Sequence, residues 1–255
     1  MAWAPDSIAN PGAEAPALWF PVPEQLLYTV HWGPFQVATA TVTADWVRWS
    51  DGRLVLRLQY RTRSNRVISA IYPVDDTITS YIDPQTFLPL RFVKNMHEGK
   101  RHEQAITDFD HASRVARWRR KVRRYKDWTL PIAADTRDIP SLLYWLRQEG
   151  FPGSATNRYQ VMADDKIYDL TLISRDLGET VRLPDGNEHP LVRIDPEASF
   201  EGLFVRSGKL TVWVTRGTAC LMTRLDAIVP VARVRIHLAA VTPPPIANSP
   251  PIAPP

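Results

Sequence analysis

The 255-residue chain has a single cysteine, Cys220, and 11 glycines. One thiol excludes an internal disulfide, a zinc site built on cysteines and an iron–sulfur cluster. It lies in Thr-Ala-Cys-Leu-Met-Thr beside a strand pattern and reads as a buried, inert thiol. The scattered glycines form no phosphate-cradling loop, and Ser141 has no Gly-x-Ser-x-Gly elbow around it. No apolar stretch approaches the roughly 18 uninterrupted residues of a spanning helix. The start, Met1-Ala-Trp-Ala-Pro-Asp6, has neither a basic nor an apolar segment and reads without a signal peptide. That leaves either a cytoplasmic protein or a chain that begins after a removed signal.

What is present is strand pattern. The apolar fraction is 44%, with 9 Trp, enough for one large β domain or two small ones. Leu26, Tyr28, Val30 and Trp32 alternate with Leu27, Thr29 and His31. Val37, Thr39, Thr41 and Thr43 share one face of the next strand, and Ala38, Ala40, Val42 and Ala44 the other. Ser50-Asp51-Gly52 closes a hairpin onto Leu54, Leu56, Leu58 and Tyr60. Further strands are expected at 77–82, 90–96, 103–109, 114–122, 158–162, 168–174, 181–183, 191–195, 210–215 and 231–238, with tight turns at Glu98-Gly99-Lys100, Asp185-Gly186 and Ser207-Gly208. Asp83-Pro-Gln-Thr-Phe-Leu-Pro89 reads as a hairpin connection.

Asp138-Ile-Pro-Ser-Leu-Leu-Tyr-Trp-Leu-Arg147 is the exception. Asp138 suits an N-cap, Pro140 a first turn, and Gly150 with Pro152 a stop. Ile139, Leu142, Leu143 and Leu146 recur at helical spacing, and Ser141 reads as a cap partner. The fold class expected is mainly β: a large antiparallel, strongly curved sheet or open barrel, plugged or braced by one short amphipathic helix at about 138–149. Residues 1–23 read as an extended Pro/Ala-rich arm, 24–240 as one β-rich domain, and 241–255 as a disordered Pro-rich tail. Asp75-Asp76 and Asp164-Asp165, each ahead of a strand pattern, suggest two similar halves, 24–130 and 151–240.

Several constellations invite chemistry. His97-Glu98 and His102 are five apart and would not share a helical face, and Gly99 favours a hairpin. With Asp108, Asp110 and His111 they form a His/Asp-rich surface, read as solvated turn residues; no metal or other cofactor is assigned. Asp75, Asp76, Asp164 and Asp165 are the nominal candidates for a converging carboxylate pair, although turn and strand-edge placement explains them more simply. No catalytic residue is assigned.

The strongest local anomaly is basic. Eight of the thirteen residues from Arg114 to Lys126 are Arg or Lys, interleaved with Trp118 and Tyr125. Arg117, Arg119 and Lys121 would face one side of a strand, and Trp118 and Arg120 the other. With Arg123 and Arg124 these form the candidate ligand site, since Arg forks suit phosphate and carboxylate groups beside aromatic surface. The competing reading, an edge strand protected by charge, ranks ahead of it. A net charge of +4 allows an anionic partner. No nucleic-acid-binding signature is present, so nucleic acid ranks low.

Four stretches, Leu27-Tyr-Thr-Val-His-Trp-Gly33, Asp83-Pro-Gln-Thr-Phe-Leu-Pro89, the helix with Ser141-Leu-Leu-Tyr144, and Gly208-Lys-Leu-Thr-Val-Trp-Val-Thr215, together resemble the bacterial domain family of unknown function DUF3108. The resemblance spans about residues 24–240. It departs at Arg216-Gly-Thr-Ala-Cys-Leu-Met-Thr223, where the family usually has an acidic pair, a basic residue and a proline. It implies an exported, periplasmic or envelope-associated protein, with a layout similar to lipoprotein-carrier proteins. The function expected is therefore a non-enzymatic envelope protein that binds or carries an amphiphilic or anionic ligand such as a lipid, lipopolysaccharide or lipoprotein. The alternative is an interaction module that contacts another envelope protein or polymer through a sheet edge or the Pro-rich tail. A carboxylate-dependent hydrolase ranks third.

Overall fold

The computed structural model describes residue 9 and residues 15–121, 125–151, 154–198, 209–217, 220–229 and 232–242. The alternating runs become long strands, β1 (Glu24–Trp32), β2 (Phe35–Arg48) and β3 (Leu54–Ser64). A four-residue helix, α1 (Arg66–Ser69), then leads to β4 (Asp75–Ile82), β5 (Pro89–Glu98), β6 (Arg101–Asp110), β7 (Val115–Lys121) and β8 (Tyr125–Pro131). After the long helix α2 (Ile139–Glu149) come β9 (Ser154–Ala163), β10 (Lys166–Arg175), β11 (Thr180–Arg182), β12 (Glu188–Ala198), β13 (Lys209–Thr215), β14 (Met222–Val229) and β15 (Ala232–Thr242). α1, β8 and β14 go beyond the sequence expectation.

The strands form one antiparallel sheet in the order β8-β7-β6-β5-β4-β3-β2-β1-β15-β14-β13-β12-β10-β9, with β11 on β12. β1 pairs with β15, so the sheet runs unbroken through both expected halves. The two acidic pairs are not equivalent, because Asp75-Asp76 opens β4 whereas Asp164-Asp165 turns between β9 and β10. The sheet is not closed, for its ends β8 and β9 do not pair. Instead they overlap: Phe92, Phe109 and Trp118 pack with Met162 and Ile167, and Lys94 Nζ reaches Asp164 at 2.6 Å.

Strand alternation decides what lies inside. Leu26, Tyr28, Val42, Ala44, Trp46, Leu56 and Leu58 form one core with Tyr144 of α2, while Leu142 and Leu146 of the same helix pack on β9, β10, β12 and β13. The helix is thus buried on most of its circumference. Its expected apolar stripe is revised in one place: Leu143 is 38% exposed, and Tyr144 and Arg147 take buried positions beside the leucines.

Because neighbouring strands are antiparallel, their turns fall on two rims. One rim is plugged by α2, by Leu183 and Leu221, and by Phe20, which is 5% exposed and packs edge-on to Tyr144. The described part of the arm therefore contributes to the core instead of standing away from it. The opposite rim, open among the described residues, carries the turns at 33–34, 65–74, 99–100 and 164–165 and the junction between β14 and β15. Among the described residues, no helix is long and apolar enough to cross a membrane. The tail beyond Thr242 lies outside the described residues.

Candidate functional site

The site is built upward from the plug. Asp138 caps α2 through a capping box: its carboxylate accepts from Ser141 N at 2.8 Å, and Ser141 Oγ accepts from Asp138 N at 3.1 Å. Ser80 Oγ on β4 donates to the other carboxylate oxygen at 2.6 Å, which fastens the helix start to the sheet. Burial pushes the Asp138 carboxyl above its ordinary value, and these hydrogen bonds only partly oppose that.

One to two turns on, Arg147 grips Glu24 of β1 with both prongs, Nη1 to Oε2 at 2.7 Å and Nη2 to Oε1 at 2.8 Å. Tyr144 Oη donates to the same Glu24 at 2.8 Å, and the guanidinium lies over the Tyr144 and Phe20 rings. Burial opposes charge on Arg147, but the hydrogen bonds to Glu24 more than offset it, and the pKa is raised. Sequence reasoning missed this cluster. The signal was there, in an acidic residue on the inward face of a strand and a basic one on a helix face that otherwise reads apolar.

Above the plug the interior changes. Inward residues beside α2 are sealed, Leu56 and Leu58 at 0% exposure. Further from α2 the inward positions Val30, Ala40, Tyr60, Leu225, Ile236 and Leu238 are half-buried and linked by register, while Ala38 and Ala227, on the same face and nearer the rim, are buried. Tyr60 senses a low dielectric strongly enough that burial drives its phenol well above the ordinary value, yet it keeps contact with solvent. Among the described residues this lining offers aliphatic groups and the Tyr60 hydroxyl.

On the open rim itself lies a cleft of about 450 Å³, lined in part by Arg63, Ser69, Asp75, His97 and His102. His97 and His102 pair across the β5–β6 hairpin, rings edge to face at 4.6 Å. The expected hairpin is thus present at Gly99. The rest of the His/Asp-rich set is dispersed: Asp108 binds Arg91 and Arg119, and His111 Nε2 lies 2.9 Å from the Pro89 carbonyl. Among the described residues no group of three or more His, Cys, Asp or Glu could hold a metal ion.

Three arginines of the basic run are committed to neighbouring strands. Arg117 pairs with Asp127 of β8, Arg119 with Asp108 of β6, and Arg120 lies over the buried Trp118 ring with Glu103 3.9 Å away. The outward Arg117 and Arg119 and the inward Trp118 and Arg120 follow the expected alternation. The edge strand is β8, one place beyond β7. Lys121 ends β7, while Arg123 and Arg124 lie outside the described residues.

Of the remaining candidates, Asp75, Asp76, Asp164 and Cys220 have structural surroundings that account for them; Asp76 accepts from His97 N at 2.8 Å. Asp75 is held by Arg61 and Arg63, and Asp164 by Lys94. Cys220 is buried against Leu142 and Leu146, which pushes its thiol up to about 11 and keeps it un-ionised.

A model for a family described as a protein of unknown function, DUF3108, matches residues 27–239. Comparison with curated proteins finds no match. A solved β-barrel-like protein of the domain of unknown function DUF1849, from Brucella abortus, is similar in fold, with a TM-score of 0.54 at 12% identity over 86% of this chain and 97% of that one.

Proposed function

The chain belongs to the DUF3108 family, and from its interior we propose that it is a binding or carrier protein for an amphiphilic ligand rather than an enzyme. The observation that carries this reading is the contrast along the inner wall. Leu56 and Leu58 are sealed beside α2, whereas Ala40, Tyr60, Ile236 and Leu238 stay half-open nearer the rim. Apolar residues left wetted inside a curved sheet gain free energy when a hydrocarbon replaces that water, at about 25 cal/mol per Å² removed from solvent. A tail lying against these residues would leave its polar head at the open rim. Within the basic run 114–126, Arg117, Arg119 and Arg120 are already paired with carboxylates, which leaves these three little net field to offer an anionic head. A phospholipid or fatty acid of the cell envelope is the ligand class that fits.

Native mass spectrometry of the purified chain, followed by solvent extraction, tests this. Retained fatty acid or phospholipid is expected. A chain that carries none, and takes none up from micelles after delipidation, would contradict it.

A second reading, the interaction module, draws on one observation. β8 ends the sheet with an open edge and presents Trp128 at 50% exposure, a surface suited to strand addition by a protein partner.

A further inference from the structure

Ten large apolar side chains are markedly exposed among the described residues, and six of them, Trp32, Phe35, Val67, Ile71, Tyr72 and Ile228, sit on the open rim. They belong to three different connections: the β1–β2 turn, the segment between β3 and β4, and the end of β14. Val67 and Phe35 are each 72% exposed and Ile71 83%, so they project instead of leaning on the sheet.

Hydrogen bonds tie these tips into one platform. Gly33 N donates to the Arg233 carbonyl at 3.0 Å, linking the β1–β2 turn to the start of β15. Asn65 N donates to the Val37 carbonyl at 2.9 Å and Asn65 Nδ2 to Gln36 O at 2.6 Å, linking α1 to β2. Gly99 N donates to the Pro73 carbonyl at 2.7 Å, linking the same segment to the β5–β6 hairpin. Four neighbouring connections are therefore tied together, and three of them carry the apolar tips.

We propose that this rim docks on the surface of an anionic lipid bilayer, with the turn tips entering the headgroup layer. Its composition matches that solvent boundary. Trp, Tyr and Phe stand beside Arg66, Lys100 and Arg233; Arg66 and Lys100 have no ion pair among the described residues, and Arg233 shares the field of Asp226 with Arg224 and Arg235. Of the acidic groups on the rim, Asp75 is held by Arg61 and Arg63 and Asp164 by Lys94, while Asp76 accepts from His97 N at 2.8 Å and burial raises its pKa; Glu98 and Asp165 also stand against the basic set. A protein partner would be better served by one flat, continuous face of about 800 Å² than by separate projecting tips. The inference does not require the interior to hold a ligand, although docking by this rim would turn the open mouth toward the bilayer.

Flotation of the full chain with phosphatidylcholine vesicles, with and without phosphatidylglycerol, tests it. The wild type is expected to float with the anionic vesicles, and less so as salt is raised. The double variant Val67→Ser/Ile71→Ser should lower the partition coefficient at least about tenfold. Arg66→Glu/Arg233→Glu should weaken it by about fivefold or more per residue and remove the dependence on phosphatidylglycerol. Leu143→Ser/Leu177→Ser, which alters exposed apolar residues elsewhere, should float like the wild type. Failure of the wild type to float, equal flotation of the rim variants, or an equal loss in the control pair would each overturn the inference. So would a concentration-dependent dimer abolished by Val67→Ser/Ile71→Ser without vesicle binding, because the tips would then serve a second copy. Uptake of a soluble fluorescent fatty acid, measured on the same variants, separates the two readings. In the wild type, uptake without flotation sinks docking alone, and flotation without uptake sinks the carrier reading alone.

Discussion

Arg147 and Glu24 meet as a two-pronged ion pair at 2.7 and 2.8 Å inside the curved sheet, 123 residues apart in sequence. One stands on the helix and the other at the start of the first strand, so the pair fixes how deep α2 sits and where the sealed core stops. A charge removed from water is tolerable only while its partner is present. Arg147→Met should therefore destabilise the protein by about 3–5 kcal/mol, because it strands the Glu24 carboxylate. Adding Glu24→Gln to that variant should recover a substantial part of the loss. Urea denaturation of the two single variants and the double variant checks both the loss and its non-additivity.

Asp138 makes stability depend on pH through a raised carboxyl pKa. The folded state then binds its proton more tightly than the unfolded chain, so the favourable contribution is fully present below the ordinary value of 3.8. It is lost as pH rises through the folded pKa. Relative to Asp138→Asn, the wild type should lose stability across that window. Melting temperatures of both proteins from acid to neutral pH test the sign, and parallel curves would contradict it. Asp138→Ala should cost about 1–2 kcal/mol through loss of the cap.

Gly99 permits the approach of the β3–β4 segment to the β5–β6 hairpin. A Cβ there would lie 2.8 Å from Tyr72 Cε2, on a backbone with φ of +59°. Gly99→Ala should cost about 1 kcal/mol or more and displace Tyr72. Faster amide exchange in residues 65–74 than in the wild type is the expected readout.

Arg117 and Arg119 hold partly exposed ion pairs with Asp127 and Asp108. Arg117→Ala and Arg119→Ala should each change stability by at most about 1 kcal/mol. Both should leave fatty-acid affinity within about twofold, a result that isothermal titration can check against the view that these side chains hold the ligand's head.

The period-two runs of β1 to β3 were legible because each has one face buried and the other wet, and the α2 caps because Asp138 and Gly150 stand where orphan backbone groups need them. β8 was hidden because Lys126 and Asp127 break its alternation, as an edge strand with a solvent face tolerates. The Glu24–Arg147 pair was hidden for another reason. Strand alternation places Glu24 inward, but only the folded path of α2 supplies its partner. The basic run misled in the opposite sense, for its charge stands out in sequence while its partners Asp108 and Glu103 lie on β6 and are revealed by register. The half-open lining was likewise out of reach, since alternation assigns a residue to a face and says nothing of how far up the wall the plug extends.

The carrier reading stands or falls on whether a tail occupies the space beside Ala40. In a titration with an environment-sensitive fluorescent fatty acid, the wild type should bind saturably. Ala40→Trp, which fills the half-open lining while leaving the plug intact, should weaken that binding at least about tenfold without lowering the melting temperature. Equal binding by both proteins, or none by either, would contradict the account.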